Sequence, residues 1–393
     1  MVNGYLPFGT RQYDISTALL GPAQFVGNGL YLDRYNEIET AFTGFDAQIG
    51  GPMPIFGRYG LQGYVGFYFF DGTSSTDFTG VSGRLAWQVN EDFNIAVNMT
   101  DDHVFGTNTQ MQFSFTLPDG KSSRWLRPLS VRDRMMQSVQ RNYRVTAERE
   151  VKIVQEAALN PKDGLPYFVV HVDPNVAASG VNAGDGTVEN PYSRLAQFDN
   201  LALADKSQVD IIFVEPRLDL GVSNTTNLNN GVTLLTGQRL LSSSVPHQFE
   251  TVQRPGVLFD LPGFVPGGQP LPVLTNNTGG DVVTFADGAI CVEVSGFTIN
   301  GSATGRGIAG TNNQNVLINR NVIQGGLDGI ALTNLSGLQV NDRGSFIQSN
   351  IIRNNTNDGI NVSNSFTAPL DLVIANNPPL NALMSTTEPV SNS

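Results

Sequence analysis

The sequence predicts an all-β protein built from two kinds of sheet. Only 15% of the 393 residues are charged, and Gly contributes 42, whereas an ordinary soluble domain has roughly 25% charged residues. Long runs of alternating apolar and polar residues occupy the first third of the chain, and a shorter motif with a Gly-Ile pair recurs in the last third. The alternation predicts antiparallel strands, and the recurrence predicts stacked parallel coils.

Four runs between residues 58 and 117 alternate apolar and polar side chains. In the first, Val65 and Phe67 share one face, and Tyr64 and Tyr68 share the other. A bilayer-crossing strand needs roughly 9–11 residues, close to the length of these runs, while soluble strands average about 5–6. The pattern therefore predicts an antiparallel membrane-type β-barrel. A soluble antiparallel sandwich alternates in the same way and is the alternative.

The lengths of the connections predict how such a barrel is oriented. Residues 90–92 form a short turn, whereas 71–79 and 101–106 are longer. Outer-membrane barrels have short periplasmic turns and longer outer loops. We therefore expect the strand at 107–117 to end on the periplasmic side.

Two stretches within residues 3–145 carry motifs of a known family. They read GLYLDRYNEIETAFTGFDAQIGGPMPIFGRYGLQGYVGFYFFDG and VSGRLAWQVNEDFNIAVNMTDDHVFGTN. This region resembles the C-terminal half of an inverse autotransporter barrel of the intimin/invasin type. The resemblance implies an outer-membrane barrel, a linker through its lumen, and a passenger exported to the cell surface.

The barrel section is shorter than the resemblance implies. Six clear strands are predicted, or seven with residues 11–20, and a closed outer-membrane barrel needs at least about eight. The start, Met1–Tyr5, has neither the positive nor the apolar region of a signal peptide. We therefore expect residues 1–120 to form a partial barrel in a chain that lacks its N-terminal part.

A basic segment follows and is predicted to be a linker over residues 121–165. Residues 121–152 hold nine of the 23 basic residues and three acids. A short helix is predicted at 131–141, with Ser130 as its cap. Two interpretations stay open: an element inside the barrel lumen, as the family resemblance implies, or a solvated interdomain helix. A nucleic-acid partner is not expected, because the net charge is −12.

Residues 166–393 are predicted to form a second domain. A strand at 167–172 precedes a Gly-rich loop, a helix capped by Asn190, and a strand at 210–215. The motif GDGT-x-x-NPY-x-x-L, followed by D-x-I-x-V, resembles the opening coil of a pectin-lyase-like right-handed parallel β-helix. The resemblance implies that fold for this domain.

An internal repeat supports a stack of coils. The pairs Gly307-Ile308, Gly329-Ile330 and Gly359-Ile360 recur at spacings of 22 and 30 residues, with an insertion expected at 334–345. Asn321 and Asn350 are candidates for a side-chain ladder, because Asn also tolerates left-handed backbone conformations. Residues 216–280 are rich in Pro and Gly, and we expect a long irregular loop there.

The repeat also raises the question of an enzyme. Arg306, Asp328 and Asp358 each precede Gly-Ile and could align on one face. A polysaccharide lyase needs clustered acids for Ca²⁺ and an Arg or Lys base, and a glycoside hydrolase needs two carboxylates roughly 5–9 Å apart. Because Asp-Gly is an ordinary turn pair, we interpret Asp328 and Asp358 as turn residues. No other acid recurs in this register, apart from Glu293, which is an isolated acid in the sequence.

The histidines and the cysteine do not form a pattern typical of a catalytic or metal site. His103, His171 and His247 lie far apart in sequence without the spacing of metal ligands, and we expect His171, which alternates into a strand, to be a packed or hydrogen-bonded residue. Cys291 lies in an apolar run, so we expect a small buried side chain. We predict no catalytic residue, no metal site and no cofactor.

The function predicted from these patterns is surface display. The barrel would anchor and export a β-helix passenger at the outer membrane, with lipid around the barrel and a cell-surface glycan or protein as the passenger's partner. The alternatives are a surface polysaccharide lyase or glycoside hydrolase that uses the β-helix groove, and a purely structural spacer.

Overall fold

The structure, a computed structural model, describes residues 1–19, 21–72, 77–89, 93–115, 147–176, 184–216, 228–266, 268–337, 344–364, 369–377, 379–380 and 384–385. In these residues strands predominate, which confirms the all-β prediction. The chain divides into unit 1, residues 1–18 and 35–154, and unit 2, residues 19–34 and 155–393. None of the helices in the described ranges has both the length and the apolar character needed to cross a membrane.

Antiparallel strands form a six-stranded sheet in the order β1-β5-β6-β7-β8-β9. Strands β6 to β9 contain 10 or 11 residues each, as the long alternating runs predict. The first ten strands are β1 (Val2–Tyr5), β2 (Gln12–Leu19), β3 (Gln24–Val26), β4 (Gly29–Ala41), β5 (Thr43–Pro52), β6 (Leu61–Asp71), β7 (Phe78–Gln88), β8 (Phe93–Asp102), β9 (Gly106–Phe115) and β10 (Ala147–Ala157).

The six-stranded sheet is open. Strands β1 and β9 lie at its two edges, and they are not paired with each other in the described part of the chain. A closed membrane-type barrel is therefore not observed. The alternation that predicts the strands determines only which side chains share a face, and closure depends in addition on how many strands are present.

A second sheet has the order β10-β4-β2, and β3 pairs with β4 in antiparallel fashion. Strand β10 occupies part of the segment predicted as a linker over 121–165. Its alternation, with Val151 and Ile153 on one side, supports a strand. The predicted helix at 131–141 lies outside the described residues.

Parallel strands form three sheets in unit 2. The first is β11-β12-β14-β19-β22-β25-β28, the second is β13-β18-β21-β24-β27-β30, and the third is β17-β20-β23-β26-β29. From β17 onward, consecutive strands visit the third, second and first sheet in turn, an arrangement consistent with a β-solenoid. We call this assembly the parallel stack.

The strands of the parallel stack are short. Their bounds are β11 (Val169–Val172), β12 (Ile211–Val214), β13 (Val232–Leu234), β14 (Arg239–Ser242), β17 (Val273–Thr275), β18 (Val283–Phe285), β19 (Glu293–Ser295), β20 (Thr298–Asn300), β21 (Ile308–Thr311), β22 (Leu317–Asn319), β23 (Val322–Gln324), β24 (Ile330–Thr333), β25 (Ser345–Gln348), β26 (Ile351–Arg353), β27 (Ile360–Val362), β28 (Leu372–Ala375), β29 (Pro379–Leu380) and β30 (Met384–Ser385). A small antiparallel pair, β15 (Gln248–Phe249) and β16 (Phe259–Asp260), interrupts them.

The Gly-Ile repeat sets the register of the second sheet. Ile308 pairs with Ile330, and Ile330 pairs with Ile360. Ile299, Ile323 and Ile352 align in the same way in the third sheet. Each of these side chains is at most 8% exposed, so identical apolar residues stack inside the coils and form the core. The repeat prediction is confirmed.

Residues 216–280 differ from the expected single loop. The described part contributes β13, β14 and β17 to the parallel sheets and forms the β15-β16 pair. Phe249 and Leu261 from this segment pack on the outer face of the first sheet, against Phe213 and Leu241. Because these strands have only two to four residues and lie between Pro and Gly, their periodicity is too short to detect in the sequence.

The helical region near residue 195 begins later than predicted. Helix α1 spans Leu195–Asp199 and helix α2 spans Leu203–Lys206, and Arg194 is the N-terminal cap of α1. The Asn190 carbonyl instead accepts hydrogen bonds from the backbone N–H groups of Asp185 and Gly186. The predicted cap at Asn190 is wrong, because this residue closes the preceding turn.

Candidate functional site

One face of the six-stranded sheet is predominantly apolar. Strand register places Phe67 beside Ala47 and Val81, and this row ends in the polar residues Asp101 and Thr107 on β8 and β9. We call this surface the apolar face. Its members are Phe45, Ala47, Ile49, Leu61, Val65, Phe67, Phe69, Val81, Leu85, Trp87, Phe93, Ile95, Val97, Met99, Met111, Phe113 and Phe115.

The apolar face is exposed rather than packed into a core. Ile49 is 78% exposed, Phe67 54%, Trp87 46% and Phe113 63%. Five neighbouring strands at about 4.8 Å spacing make the patch roughly 20 Å wide. Soluble monomers rarely expose contiguous apolar patches above a few hundred Å², and larger ones mark a surface that binds a membrane or another protein.

The opposite face is polar over much of its area. Tyr64 donates a hydrogen bond to Gln62 at 2.5 Å, and the Arg84 guanidinium lies 5.7 Å from the Tyr64 ring centroid. Asn94 donates to Gln88 at 3.4 Å. These side chains are half-buried, so the polar face is partly shielded from solvent.

An aromatic cluster closes one end of the polar face. Phe42, Tyr68, Phe70 and Phe78 are each at most 7% exposed and pack together. Tyr68 donates a hydrogen bond to Asp102 at 2.5 Å. The two faces of the sheet therefore have opposite character: the apolar face is exposed, while the polar face carries hydrogen-bonded pairs and a buried aromatic cluster.

The connections at the two ends of the sheet differ from the prediction. Residues 103–105 alone link β8 to β9, because the strand ladder continues to the pair Asp102–Gly106. The expected long loop at 101–106 is therefore wrong. Phe42 and residues 72–77 make the other connections at that end, whereas 53–60 and 89–92 lie at the opposite end. The residues 73–76 and 90–92 lie outside the described part.

Asp101 and Asp102 stabilise the tight turn between β8 and β9. Asp102 accepts hydrogen bonds from the backbone N–H groups of Val104 at 2.9 Å and Phe105 at 2.6 Å. Asp101 accepts one from Thr107 at 2.5 Å. His103 is exposed in this turn. Across the described ranges, no group of three or more His, Cys, Asp or Glu side chains is arranged to hold a metal ion.

Successive coils each place a charged residue two positions before their strand in the second parallel sheet, and we call this set the charged column. The register Val283–Ile308–Ile330–Ile360 places Asp281, Arg306, Asp328 and Asp358 in successive coils. The alignment of the last three is as predicted. Asp281 was missed, because Val282-Val283 follows it instead of Gly-Ile.

The members of this column bind one another. The Arg306 guanidinium donates to both carboxylate oxygens of Asp281 at 3.1 Å. Asp328 accepts hydrogen bonds from the Asp358 backbone N–H at 3.1 Å and the Asn357 side chain at 2.9 Å. Asp328 thus acts as a turn residue. Since Arg306 is held by Asp281, the arrangement supplies no free base for lyase chemistry.

A ladder of asparagines, two buried and one half-buried, joins three coils. The Asn321 side chain donates to Asn350 Oδ1 at 3.1 Å, and the Asn350 side chain donates to Asn377 Oδ1 at 3.2 Å. The predicted ladder is confirmed for Asn321 and Asn350, and Asn377 extends it. These oxygens also accept from the Asn321 and Asn350 backbone N–H groups. We call this set the asparagine ladder.

The left-handed corner residues lie one position before the ladder. Arg320, Ser349 and Asn376 have φ angles of 54°, 57° and 53°. Sequence reasoning assigned both the ladder and the left-handed conformation to asparagine. At these corners the two roles fall on adjacent residues, whereas Asn312 and Asn334 take the left-handed conformation elsewhere in the parallel stack. The left-handed residue turns the chain at the corner of each coil, so the asparagine side chain that follows it points inward.

The outer face of the first parallel sheet holds an ion pair. Arg239 Nε lies 2.6 Å from Glu293 Oε2, and Arg239 also donates to the Gln248 carbonyl at 3.0 Å. Glu293 is therefore held in an ion pair with Arg239. His247 Nε2 lies 2.8 Å from the Ser242 carbonyl oxygen, and burial lowers the pKa of His247 to about 4.

His171 is packed among aromatic rings. Its ring lies 4.5 Å from Phe25 and 5.8 Å from Phe213, as measured between centroids. Burial lowers the pKa of His171 to about 4, and in the described part of the chain its Nε2 has no hydrogen-bond partner. The prediction of a packed strand residue is confirmed.

Cys291 is exposed, so the expectation of a buried side chain is wrong. Its φ angle is 58°, and its backbone N–H donates to the Gln314 carbonyl at 2.9 Å. The apolar run that suggested burial is interrupted here by a left-handed turn, which directs the thiol outward.

Comparisons with protein-family models, with curated proteins and with solved structures gave no match to this chain. The geometry of the sheets is what indicates a function. The apolar face is its strongest indication, because an exposed apolar surface of this extent needs a partner.

Proposed function

We propose that the six-stranded sheet is a lipid-facing wall of an outer-membrane β-barrel of the inverse-autotransporter type. The observation that supports this proposal is the exposed apolar face opposite a polar face. Lipid requires apolar side chains on the outside of a barrel, and a wet lumen accepts polar ones inside. Contact with hydrocarbon removes this surface from water, which is favourable by roughly 25 cal/mol per Å².

The dimensions of the strands fit a bilayer. A tilted membrane strand needs roughly 9–11 residues to cross the hydrocarbon core, and β6 to β9 have 10 or 11. Trp87 lies near the end of β7, where its Nε1 donates to the Tyr59 carbonyl at 3.1 Å. An aromatic ring with a hydrogen-bonded polar group at a strand end suits the interface between lipid and water.

The connection lengths favour one orientation. At one end Phe42, 72–77 and 103–105 have one, six and three residues, whereas 53–60 and 89–92 at the other end have eight and four. If the end with the shorter connections on average faces the periplasm, β9 ends on the outer side, opposite to the expectation from the sequence. The chain after β9 would then start outside the membrane.

The parallel stack is the proposed passenger, a right-handed, pectin-lyase-like β-helix displayed at the cell surface. Its core residues are buried inside the coils, and the outer side of the third sheet carries a hydrogen-bonded row of Asn300, Gln324 and Arg353. Such a polar surface suits adhesion through contacts with a glycan or a protein. The pairing of Arg306 with Asp281 gives no support for a lyase in preference to display.

The lipid-facing proposal is tested by two neighbouring substitutions. Met111 lies on the apolar face and is 59% exposed, and Gln112 lies on the opposite face of the same strand. Met111→Arg should weaken insertion into lipid vesicles by about 2–4 kcal/mol, the cost of Arg on the lipid face near the midplane. Gln112→Arg is the matched control and should insert like the wild type.

Vesicle flotation of the refolded protein measures both variants. Equal flotation of Met111→Arg and wild type would show that this face does not meet hydrocarbon. Display is tested separately, by protease treatment of intact cells that make the full chain. Cleavage of the parallel stack without lysis supports export, and protection until lysis contradicts it. A glycan array then separates adhesion from a spacer role.

A further inference from the structure

The apolar face ends in an oblique line of polar residues. On each of β6 to β9, an exposed polar residue on the same side of the sheet follows the last apolar side chain toward one end of the strand. We call this set the polar border. Its members are Asp71, Thr79, Asp101 and Thr109.

The polar border moves by two residues from each strand to the next. Every border residue after the first is paired in register with an apolar residue of the preceding strand. These pairs are Phe69–Thr79, Val81–Asp101 and Met99–Thr109. Side chains paired in this way have Cβ atoms only about 4.5–5.5 Å apart. Three successive apolar–polar pairs therefore indicate that the surroundings change obliquely across the sheet.

The slope of the polar border follows from strand dimensions. On β5 and β6 the apolar face ends in the same register row, since Thr43 pairs with Asp71, and each of the next three strands shifts by two residues. The total shift is about 20 Å along the strands, at about 3.3 Å per residue, over about 19 Å across four strand spacings. The border is thus inclined by about 45° to the perpendicular of the strands.

We propose that the polar border marks the surface of the hydrocarbon core, so that these strands cross the bilayer at about 45° and residues paired in register lie at different depths. The inference rests on the proposed lipid contact of the apolar face. An inclined plane explains why the register row of Phe67 is apolar on β5 to β7 and polar on β8 and β9. A straight border fits a lipid surface, whereas a protein partner needs no straight outline.

The polar border assigns a depth to each apolar residue. Val65, Leu85 and Ile95 each occupy the third position inward on their strands, so they lie at nearly the same depth although they belong to three different register rows. Trp87 and Phe93 follow at the fourth position. The hydrogen bond from Trp87 Nε1 to the Tyr59 carbonyl suits the opposite interface, which these aromatic residues approach.

Two residues of one register row distinguish inclined from upright strands. Val65 and Met99 both pair with Gly83, so strands parallel to the membrane normal would place them at equal depth. With the inclined border, Met99 lies about 7 Å closer to the surface of the hydrocarbon core than Val65. Ile95, four residues from Met99 on the same strand, reaches the depth of Val65.

The experiment uses the full chain with Cys291 replaced by Asn, a residue that accepts the left-handed turn at this position. Val65→Cys, Met99→Cys and Ile95→Cys are made singly in this background, labelled with bimane, and refolded into vesicles of phosphatidylcholine brominated either near the carbonyl or near the chain end. The ratio of deep to shallow quenching reports the depth of the label. We expect equal ratios at positions 65 and 95 and a ratio at least about twofold lower at 99, because about 7 Å separate the depths.

Flotation of two arginine variants provides a second measurement. Leu85 and Met111 both pair with Val97, and they occupy the third and the first position inward from the border. Leu85→Arg should therefore reduce the ratio of vesicle-bound to free protein at least about fivefold more than Met111→Arg, because the cost of Arg rises toward the midplane. Equal reductions would contradict the inclined border.

The outcomes separate this proposal from the lipid contact itself. Equal quenching at positions 65 and 99 in protein that floats indicates upright strands, so the inclined border is overturned while the lipid contact stands. Floating protein whose labels are quenched by neither brominated lipid shows that another partner covers the apolar face, and this result overturns both. Protein that fails to float also overturns both.

Discussion

The two units place similar alternating strands in opposite surroundings. In the parallel stack, inward residues such as Ile299 and Ile323 are fully buried. In the six-stranded sheet, residues of equal apolar character, such as Ile49 and Val65, are 78% and 65% exposed. Period-two alternation therefore shows which side chains share a face, but not what that face meets. The surroundings depend on whether a second layer covers the face.

The largest effect that tests this contrast is a core truncation. Ile323→Ala should reduce the free energy of unfolding by about 2–5 kcal/mol, because it removes buried methyl groups and leaves a cavity. Ile49→Ala is the matched change on the apolar face, and it should cost less than about 0.5 kcal/mol in water. Denaturant unfolding measures both. Similar losses would mean that the apolar face is packed in solution.

The next effect concerns the asparagine ladder. Asn350→Ala removes the acceptor for the Asn321 backbone N–H and the donor to the Ile318 carbonyl, both in the interior. Each buried group left unpaired costs about 1–3 kcal/mol, so we expect a loss of about 2–4 kcal/mol. Asn300→Ala, on the outside of the third sheet, is the control and should cost below about 1 kcal/mol. Equal costs would contradict a structural role for the ladder.

Buried histidines should make unit 2 sensitive to acid. Because burial lowers the folded-state pKa of His171 to about 4, the unfolded chain, with a pKa near 6.5, takes up the proton first. The stability is complete above about pH 6.5 and falls as the pH decreases toward 4. At pH 5 the loss is about 2 kcal/mol for this residue.

His171→Phe isolates that contribution, because Phe keeps the ring contacts with Phe25 and Phe213 and does not titrate. The variant should gain about 2 kcal/mol relative to the wild type between pH 7 and pH 5. Urea titrations at both pH values measure the difference. A difference that does not change with pH would show that His171 is not responsible.

The smallest effect is expected at the charged column. The pair Arg306–Asp281 is partly solvated, with side-chain exposures of 40% and 20%. Arg306→Gln should therefore cost less than about 1 kcal/mol, and the cost should shrink at high salt. Unfolding in low and high salt measures it. A larger, salt-independent loss would give this column a role beyond local pairing.

Much of the fold could be predicted, because the sequence patterns that indicate it are either long or repeated. The alternation around Phe67 and Trp87 predicted strands of the observed length, and the Gly-Ile repeat predicted the pairing of Ile308, Ile330 and Ile360. Asn321 and Asn350 were found because they hold equivalent places in their coils.

The remainder depends on contacts between distant residues. Arg239 and Glu293 meet only because their strands pair, and the sequence places them 54 residues apart. Asn377 lacks the isoleucines that identify Asn321 and Asn350 as repeats. The residues that flank the tight turn at 103–105, Asp101, Asp102 and Gly106, are equally common in longer loops. Whether the sheet closes likewise depends on the number of strands, and the alternation of apolar and polar residues does not give that number.

The asparagine ladder gives the parallel stack a direction. Each ladder side chain completes the corner of the coil before it: Asn350 serves Asn321, and Asn377 serves Asn350. The backbone N–H at the corner of a coil is therefore satisfied only when the next coil is in place. Loss of one ladder asparagine should for this reason destabilise the coil that precedes it in the sequence.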